Sequence, residues 1–163
     1  MSAVSRLDRR LAALADAGRK ALVPFISAGD PSREATVPVM HALVEAGADI
    51  IELGVPFSDP MADGVVIQKS SERALARGIN APAIFAMVAE FRQMDADTPI
   101  VLMGYLNPIE RRGWQWYAEQ AAKAGVDALL IVDLPPEEAD SARALLNAQG
   151  LQLISLLAPT TDD

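Results

Sequence analysis

Cysteine is absent from the 163 residues, which excludes disulfides, thiolate nucleophiles and cysteine-based zinc sites. The single histidine, His41, offers no clustered ligand spacing for a structural metal. It lies on a helical stretch and reads as a partly buried helical histidine, not a ligand or a base. Basic residues are also short: 14 Lys and Arg stand against 22 Asp and Glu, a net charge of −8. That balance argues against a nucleic-acid partner, because binding needs a basic face to displace counterions. An anionic substrate would have to be held locally by backbone N–H groups. No apolar run approaches the ~18 residues of a membrane span, and no secretory signal pattern opens the chain. A cytoplasmic protein without a membrane partner is the expectation. Aromatic residues make up only 5% while hydrophobic residues reach 51%. The core must therefore be built from Ala, Val, Leu and Ile, the packing of parallel sheets covered by helices. The length suits one domain with a sizeable core.

What is present reads as alternating helix and strand. Leu7, Leu11 and Leu14 recur at helical spacing with Arg9 and Arg10 turned outward, which predicts an N-terminal helix over residues 4–17, stopped by Gly18. A strand over 21–26 follows, with Pro24 awkwardly inside it, since proline cannot donate to a ladder. Ser32 is placed to N-cap a helix whose face is Met40, Leu43, Val44 and Gly47, and Pro38 predicts an irregular first turn. Residues 65–77 form a helix ended by Gly78. Asn80 caps another, with Pro82 in its first turn and Ile84, Met87, Val88 and Phe91 as its stripe. The apolar run 100–103 is a strand that leads into a shaped loop, 104–108. Trp114, Tyr117, Ala118 and Ala121 mark a helix ending at Gly125, its tryptophans packed toward the sheet. A strand over 128–132 ends in Asp133, Pro135-Pro136 starts a helix closed by Gly150, and 151–157 is the last strand.

A repeat runs through this order. Ala46-Gly47-Ala48-Asp49 leads into the second strand as Ala124-Gly125-Val126-Asp127 leads into the fourth. The glycine supplies the left-handed residue that turns a helix back toward the next strand. Five strands, each but the last followed by helix, imply parallel pairing and right-handed crossovers. Such a chain is either an open doubly wound sheet or part of a (β/α)₈ barrel. No Gly-rich nucleotide fingerprint follows any strand, which favours the barrel.

The most distinctive stretch is Ile51-Glu52-Leu53-Gly54-Val55-Pro56-Phe57-Ser58-Asp59-Pro60-Met61-Ala62-Asp63-Gly64. A carboxylate, Glu52, interrupts an apolar strand, and an acid there costs several kcal/mol unless it is paired or functional. Prolines and glycines then fix a loop that carries Asp59 and Asp63. The plain alternative is a solvated strand end followed by an acidic surface loop.

This run resembles the signature of the tryptophan synthase α subunit family. Val23-Pro24-Phe25-Ile26-Ser27-Ala28-Gly29-Asp30-Pro31 is similar to that family's first strand and loop, which carries the awkward proline. Tyr105-Leu106-Asn107-Pro108-Ile109 and Val132-Asp133-Leu134-Pro135-Pro136-Glu137 resemble its third and fourth strand ends. The resemblance runs from about residue 5 to the end in one register. It implies an α/β fold, the (β/α)₈ TIM barrel, here truncated after strand 5, with residues 1–163 as one partial barrel domain. It implies cleavage of indole-3-glycerol phosphate to indole and glyceraldehyde 3-phosphate in tryptophan biosynthesis. The implied partner is the β subunit in an α2β2 assembly; pyridoxal phosphate belongs to that partner and no cofactor to this chain. By position, Glu52 matches the family's acid/base and Asp63 the carboxylate on the indole N–H. Phe25, Met103, Tyr105 and Leu130 fall where the family lines its indole pocket. Pro56, Asp59 and Asn107 fall on its partner-contact loops.

The chain departs from the family by stopping after strand 5, whereas a (β/α)₈ domain runs to about 250 residues. The resemblance places strands 6 to 8, the lid loop and the phosphate-binding backbone in the missing part. The expectation is a piece of a complete subunit, self-associating and inactive by itself, rather than a natural half-barrel. Two rivals stand beside this reading. One is a non-catalytic module that docks on and activates a partner enzyme. The other is an aldolase-like barrel acting on a different phosphorylated substrate.

Overall fold

The computed structural model describes residues 4–159 and 161. Helix α1 (Arg6–Asp16) lies ahead of a parallel sheet of five strands: β1 (Phe25–Ser27), β2 (Ile51–Gly54), β3 (Ile100–Gly104), β4 (Ala128–Ile131) and β5 (Gln152–Ile154), side by side in chain order. Between them run α2 (Arg33–Glu45), α3 (Val65–Ala76), α4 (Ala81–Phe91), α5 (Leu106–Arg112), α6 (Trp114–Ala124) and α7 (Asp140–Ala148). A sequentially ordered parallel sheet of βα units is the wall of a (β/α) barrel.

Strand alternation sorts the side chains between two faces. Ile51, Leu53, Ile100, Leu102, Leu129 and Ile131 pack against the helices, where they meet Met40, Ile84, Val88 and Phe91. Ile50, Val101, Ala128 and Leu130 form a second cluster on the opposite face with Met103, Val132 and Ile154, and Leu7 of α1 packs into it. Glu52 lies between Ile51 and Leu53, so it belongs to this second, inner face. His41 is partly buried, stacked on the Phe91 ring at 4.6 Å.

The repeated Ala-Gly-x-Asp segments have a structural job. Asp49 and Asp127 are almost fully buried, and each accepts a hydrogen bond from the backbone N–H of a residue 27 positions earlier: Leu22 to Asp49 Oδ2 at 2.9 Å and Ile100 to Asp127 Oδ2 at 2.8 Å. Arg10 pairs with Asp49 at 3.0 Å, and Arg92 and Arg6 pair with Asp127 at 2.8 and 3.0 Å. Gly47 and Gly125 have φ of 104° and 92°, the left-handed turn that aims each aspartate at the preceding strand.

Several boundaries differ from the sequence reading. Leu11 is 45% exposed whereas Leu7 and Leu14 are buried. At about 100° per residue, Arg6, Arg10, Leu14 and Leu7 share the side turned to the sheet and Leu11 falls outside it. Arg10 therefore reaches Asp49 instead of pointing away. β1 begins only at Phe25, because Pro24 has no N–H; the Pro24 carbonyl still accepts from Glu52 N–H at 3.0 Å. α2 starts cleanly at Ser32, whose Oγ accepts from Ala35 N–H. Pro38 is tolerated because it and Glu34, whose carbonyl loses its partner, both face solvent. Residues 106–108 are not loop but the first turn of α5, where the missing Pro108 N–H is not needed. A 3₁₀ turn, Pro136–Glu138, precedes α7. β5 ends at Ile154 because β4 supplies no register partner beyond Leu130.

Candidate active site

Parallel strands deliver all their C-terminal ends to one rim, and the candidate residues lie at it or on the inner face just below it. Loop backbone is tied across that rim: Ala28 N–H to the Gly54 carbonyl at 3.0 Å, Val55 N–H to Met103 at 2.7 Å and Val132 N–H to Gly104 at 2.9 Å. Asp133 extends the same stitching by accepting Leu106 N–H on Oδ1 at 2.7 Å. A carboxylate on the β4 end thus caps α5, which has no side-chain cap of its own.

Glu52 stands on β2 in register with Phe25 of β1 and Val101 of β3. It is half-buried, and burial pushes its carboxyl above the ordinary glutamate value. Among the described residues no side chain pairs with it, so nothing offsets that desolvation. A raised, unpaired carboxyl is suited to hold and hand over a proton.

Asp63 sits in the turn just before α3 and is half-buried. Its neighbourhood is held from two sides. Ala62 N–H donates to the Tyr105 hydroxyl at 3.1 Å, and Gln68 Nε2 donates to the Asp63 carbonyl at 2.9 Å. Burial raises the Tyr105 phenol pKa, and the Asp63 carboxylate adds to that rise. Phe57 stacks on Tyr105 with centroids 5.1 Å apart. Gly54 matters to this geometry: a Cβ there would lie 2.5 Å from the Phe25 ring, so only glycine lets that ring lie against β2.

Phe25, Met103, Tyr105 and Asp63 line one small cavity of about 10 Å³ with Ser27, Ile67, Ser71 and Val132. That is room for about one water. A larger flat ligand would therefore have to extend over the inner face of the sheet. Glu52 and Leu130 do not line the cavity; they project from that inner face beside it, Leu130 in register with Met103. Ser27, Ile67, Ser71 and Val132 were not among the sequence candidates. Ile67 and Ser71 carried a usable signal, one helical turn apart directly after Asp63.

Pro56, Asp59 and Asn107 line a different and larger cleft of about 640 Å³, together with Phe57, Asn80, Arg111 and Arg112. The loop after β2 thus serves two sites, with Asp63 on the inner cavity and Asp59 on the outer cleft. No group of acidic residues or histidine able to hold a metal occurs among the described residues. No single described helix is long and apolar enough to cross a membrane.

Comparison with known proteins agrees with this fold. Residues 11–163 match the family model described as tryptophan synthase alpha chain. The tryptophan synthase alpha chain of Xanthomonas oryzae pv. oryzae is 66% identical over 158 residues, covering 97% of this chain and 59% of that protein. That of Xanthomonas campestris pv. campestris is 63% identical over 164 residues. The crystal structure of tryptophan synthase subunit alpha from Legionella pneumophila superposes with a TM-score of 0.96 at 51% identity, over 98% of this chain and 61% of that one. A chain of the tryptophan synthase α2β2 complex of Pyrococcus furiosus gives a TM-score of 0.81 at 43% identity, over 87% of this chain and 57% of its own. The 163 residues thus span about three-fifths of the relatives they match, and along that span the chain belongs to the tryptophan synthase alpha chain family.

Proposed function

We propose that this chain supplies the carboxylate half of an active site that cleaves indole-3-glycerol phosphate into indole and glyceraldehyde 3-phosphate, in a full-length subunit working in the cytoplasm. The observation that carries the reading is the rim geometry. Asp63 shares one cavity with Phe25, Met103 and Tyr105, and an unpaired, burial-raised Glu52 projects from the inner face next to it. The flat indole lies over the inner face between Phe25, Met103 and Leu130, with its ring nitrogen toward Asp63. Protonation at indole C3 makes that carbon tetrahedral and leaves positive charge at the nitrogen, which the fixed Asp63 carboxylate stabilises. Glu52 carries the proton-transfer work. Removal of the proton from the adjacent glycerol hydroxyl lets the carbon–carbon bond break. Its electron pair returns to the ring, restoring aromatic indole, and the hydroxyl carbon leaves as the aldehyde.

The larger cleft supports docking of a tryptophan synthase β subunit, which would hold the pyridoxal phosphate and receive the indole. Pro56 and Asp59 from the loop after β2 meet Asn107 from the first turn of α5 there. The test is indole release from indole-3-glycerol phosphate by a full-length family member carrying this sequence, with and without the β subunit. Release that the β subunit accelerates is expected. Activation of the partner without any cleavage would leave only the docking role, and cleavage of another phosphorylated substrate in its place would leave only the barrel chemistry.

A further inference from the structure

Asp30 sits in the loop after β1, away from the cavity, yet its carboxylate is the most heavily engaged at the rim. Arg73 grips it with both arms of its guanidinium, Nε to Oδ1 at 2.8 Å and Nη2 to Oδ2 at 2.7 Å. Ser70 Oγ donates to Oδ2 at 2.8 Å, and Arg77 approaches Oδ1 at 3.8 Å. Ser70, Arg73 and Arg77 all come from α3 or its C-terminal end. A planar bidentate pair of this kind fixes orientation as well as distance.

What α3 carries on its other side gives this clasp its meaning. The helix begins two residues after Asp63, Gln68 in its first turn holds the Asp63 carbonyl, and Ile67 and Ser71 form part of the cavity wall. Ser70 and Ser71 are adjacent, one facing Asp30 and the other the cavity, and both are buried. Packing closes the same joint independently: a Cβ on Gly29 would lie 2.3 Å from the Ile79 side chain, just beyond α3. β1 itself ends in Ser27 at the cavity edge, and in the loop after it Gly29 N–H donates to the buried Thr36 Oγ1 at 2.9 Å. Loop and helix are therefore each anchored, and the Asp30 carboxylate joins them.

We infer that Asp30 is a positioning residue: through Arg73 and Ser70 it sets where α3 stands against β1, and so where the Asp63 carboxylate meets the substrate nitrogen. It touches no substrate. The inference rests on the reading of Asp63 above. The clasp holds across the physiological range, because the Arg73 hydrogen bonds keep the Asp30 carboxyl down to about 2. A displacement of a catalytic group by about 1 Å is enough to cost on the order of 10²-fold in rate.

The experiment is a double-mutant cycle in a full-length family member carrying this sequence, with kcat and KM for indole-3-glycerol phosphate cleavage measured separately. Asp30→Asn is expected to lower kcat at least tenfold in the parent and less than twofold in the Asp63→Asn background, since a group that acts through Asp63 has nothing left to position. Asp30→Glu with Arg73→Lys, a charge-preserving pair with altered fork geometry, is expected to restore melting temperature but not kcat, because Lys cannot make the bidentate contact. Equal losses from Asp30→Asn in both backgrounds would overturn the inference and leave Asp63 untouched. So would full kcat in Arg73→Lys, a variant that keeps the charge and needs no refolded loop. A parent that cleaves nothing would instead sink the proposed function, and this inference with it.

Discussion

Asp59 and Asp63 lie four residues apart in one loop, and the structure sends them to different places. Asp63 faces the cavity with Phe25 and Tyr105, whereas Asp59 lines the outer cleft with Pro56 and Asn107. Asp63→Asn is therefore expected to reduce cleavage strongly without a partner present, and Asp59→Asn to leave that rate unchanged while weakening β-subunit association. Steady-state assays alongside calorimetric binding separate the two, and equal effects on the unpartnered rate would contradict the division. Glu52 makes a second prediction, on stability. Its folded pKa is raised by burial, so the folded state holds a proton that the unfolded chain releases. The stabilisation is present below the ordinary glutamate value, about 4.3, and is lost as pH rises through the folded pKa. Glu52→Gln should then melt higher than the parent at pH 8, with the gap closing toward pH 4. Melting curves with no pH-dependent gap would show that Glu52 is not desolvated.

Among elements, the strands and helices were legible where apolar period and punctuation agreed. The stripe Ile84, Met87, Val88 and Phe91 is buried as read, and Asn80 caps its helix through Ala83 N–H. The glycine turns at 47 and 125 are left-handed. What could not be read depends on partners distant in sequence. Residues 106–108 are helical, with Asp133 just beyond β4 capping Leu106, and α1 turns Arg10 toward Asp49, which leaves Leu11 outside the buried side. At the site, the candidates named by resemblance lie at the rim or on the inner face beside it, and their split between cavity, inner face and outer cleft needed the fold. The aspartate clasps make an element-scale prediction. Asp127→Ala removes the carboxylate that Arg92 Nη2 faces, on a side chain only 10% exposed, and leaves Ile100 N–H without its acceptor. Removing one partner of such a buried pair costs about 3–5 kcal/mol. Urea denaturation should show that loss, and a change below about 1 kcal/mol would contradict the role given to the clasp.

At the scale of the whole molecule, the described sheet has two open edges, since β1 pairs only with β2 and β5 only with β4. Exposed apolar side chains collect near both: Leu22 and Val23 before β1, Leu156 and Leu157 after β5. Unpaired edges beside apolar patches invite association. A purified chain of residues 1–163 should therefore self-associate at micromolar concentration in light scattering, and a stable monomer would contradict the edge argument. The central claim remains chemical: Glu52 moves the proton on which carbon–carbon cleavage depends. Its most direct test is Glu52→Gln in a full-length family member carrying this sequence, followed by indole release and by β-subunit binding on the same preparation. Loss of roughly 10²–10⁴-fold in turnover with binding preserved is the predicted result. Near-normal indole release from the Gln variant would contradict it.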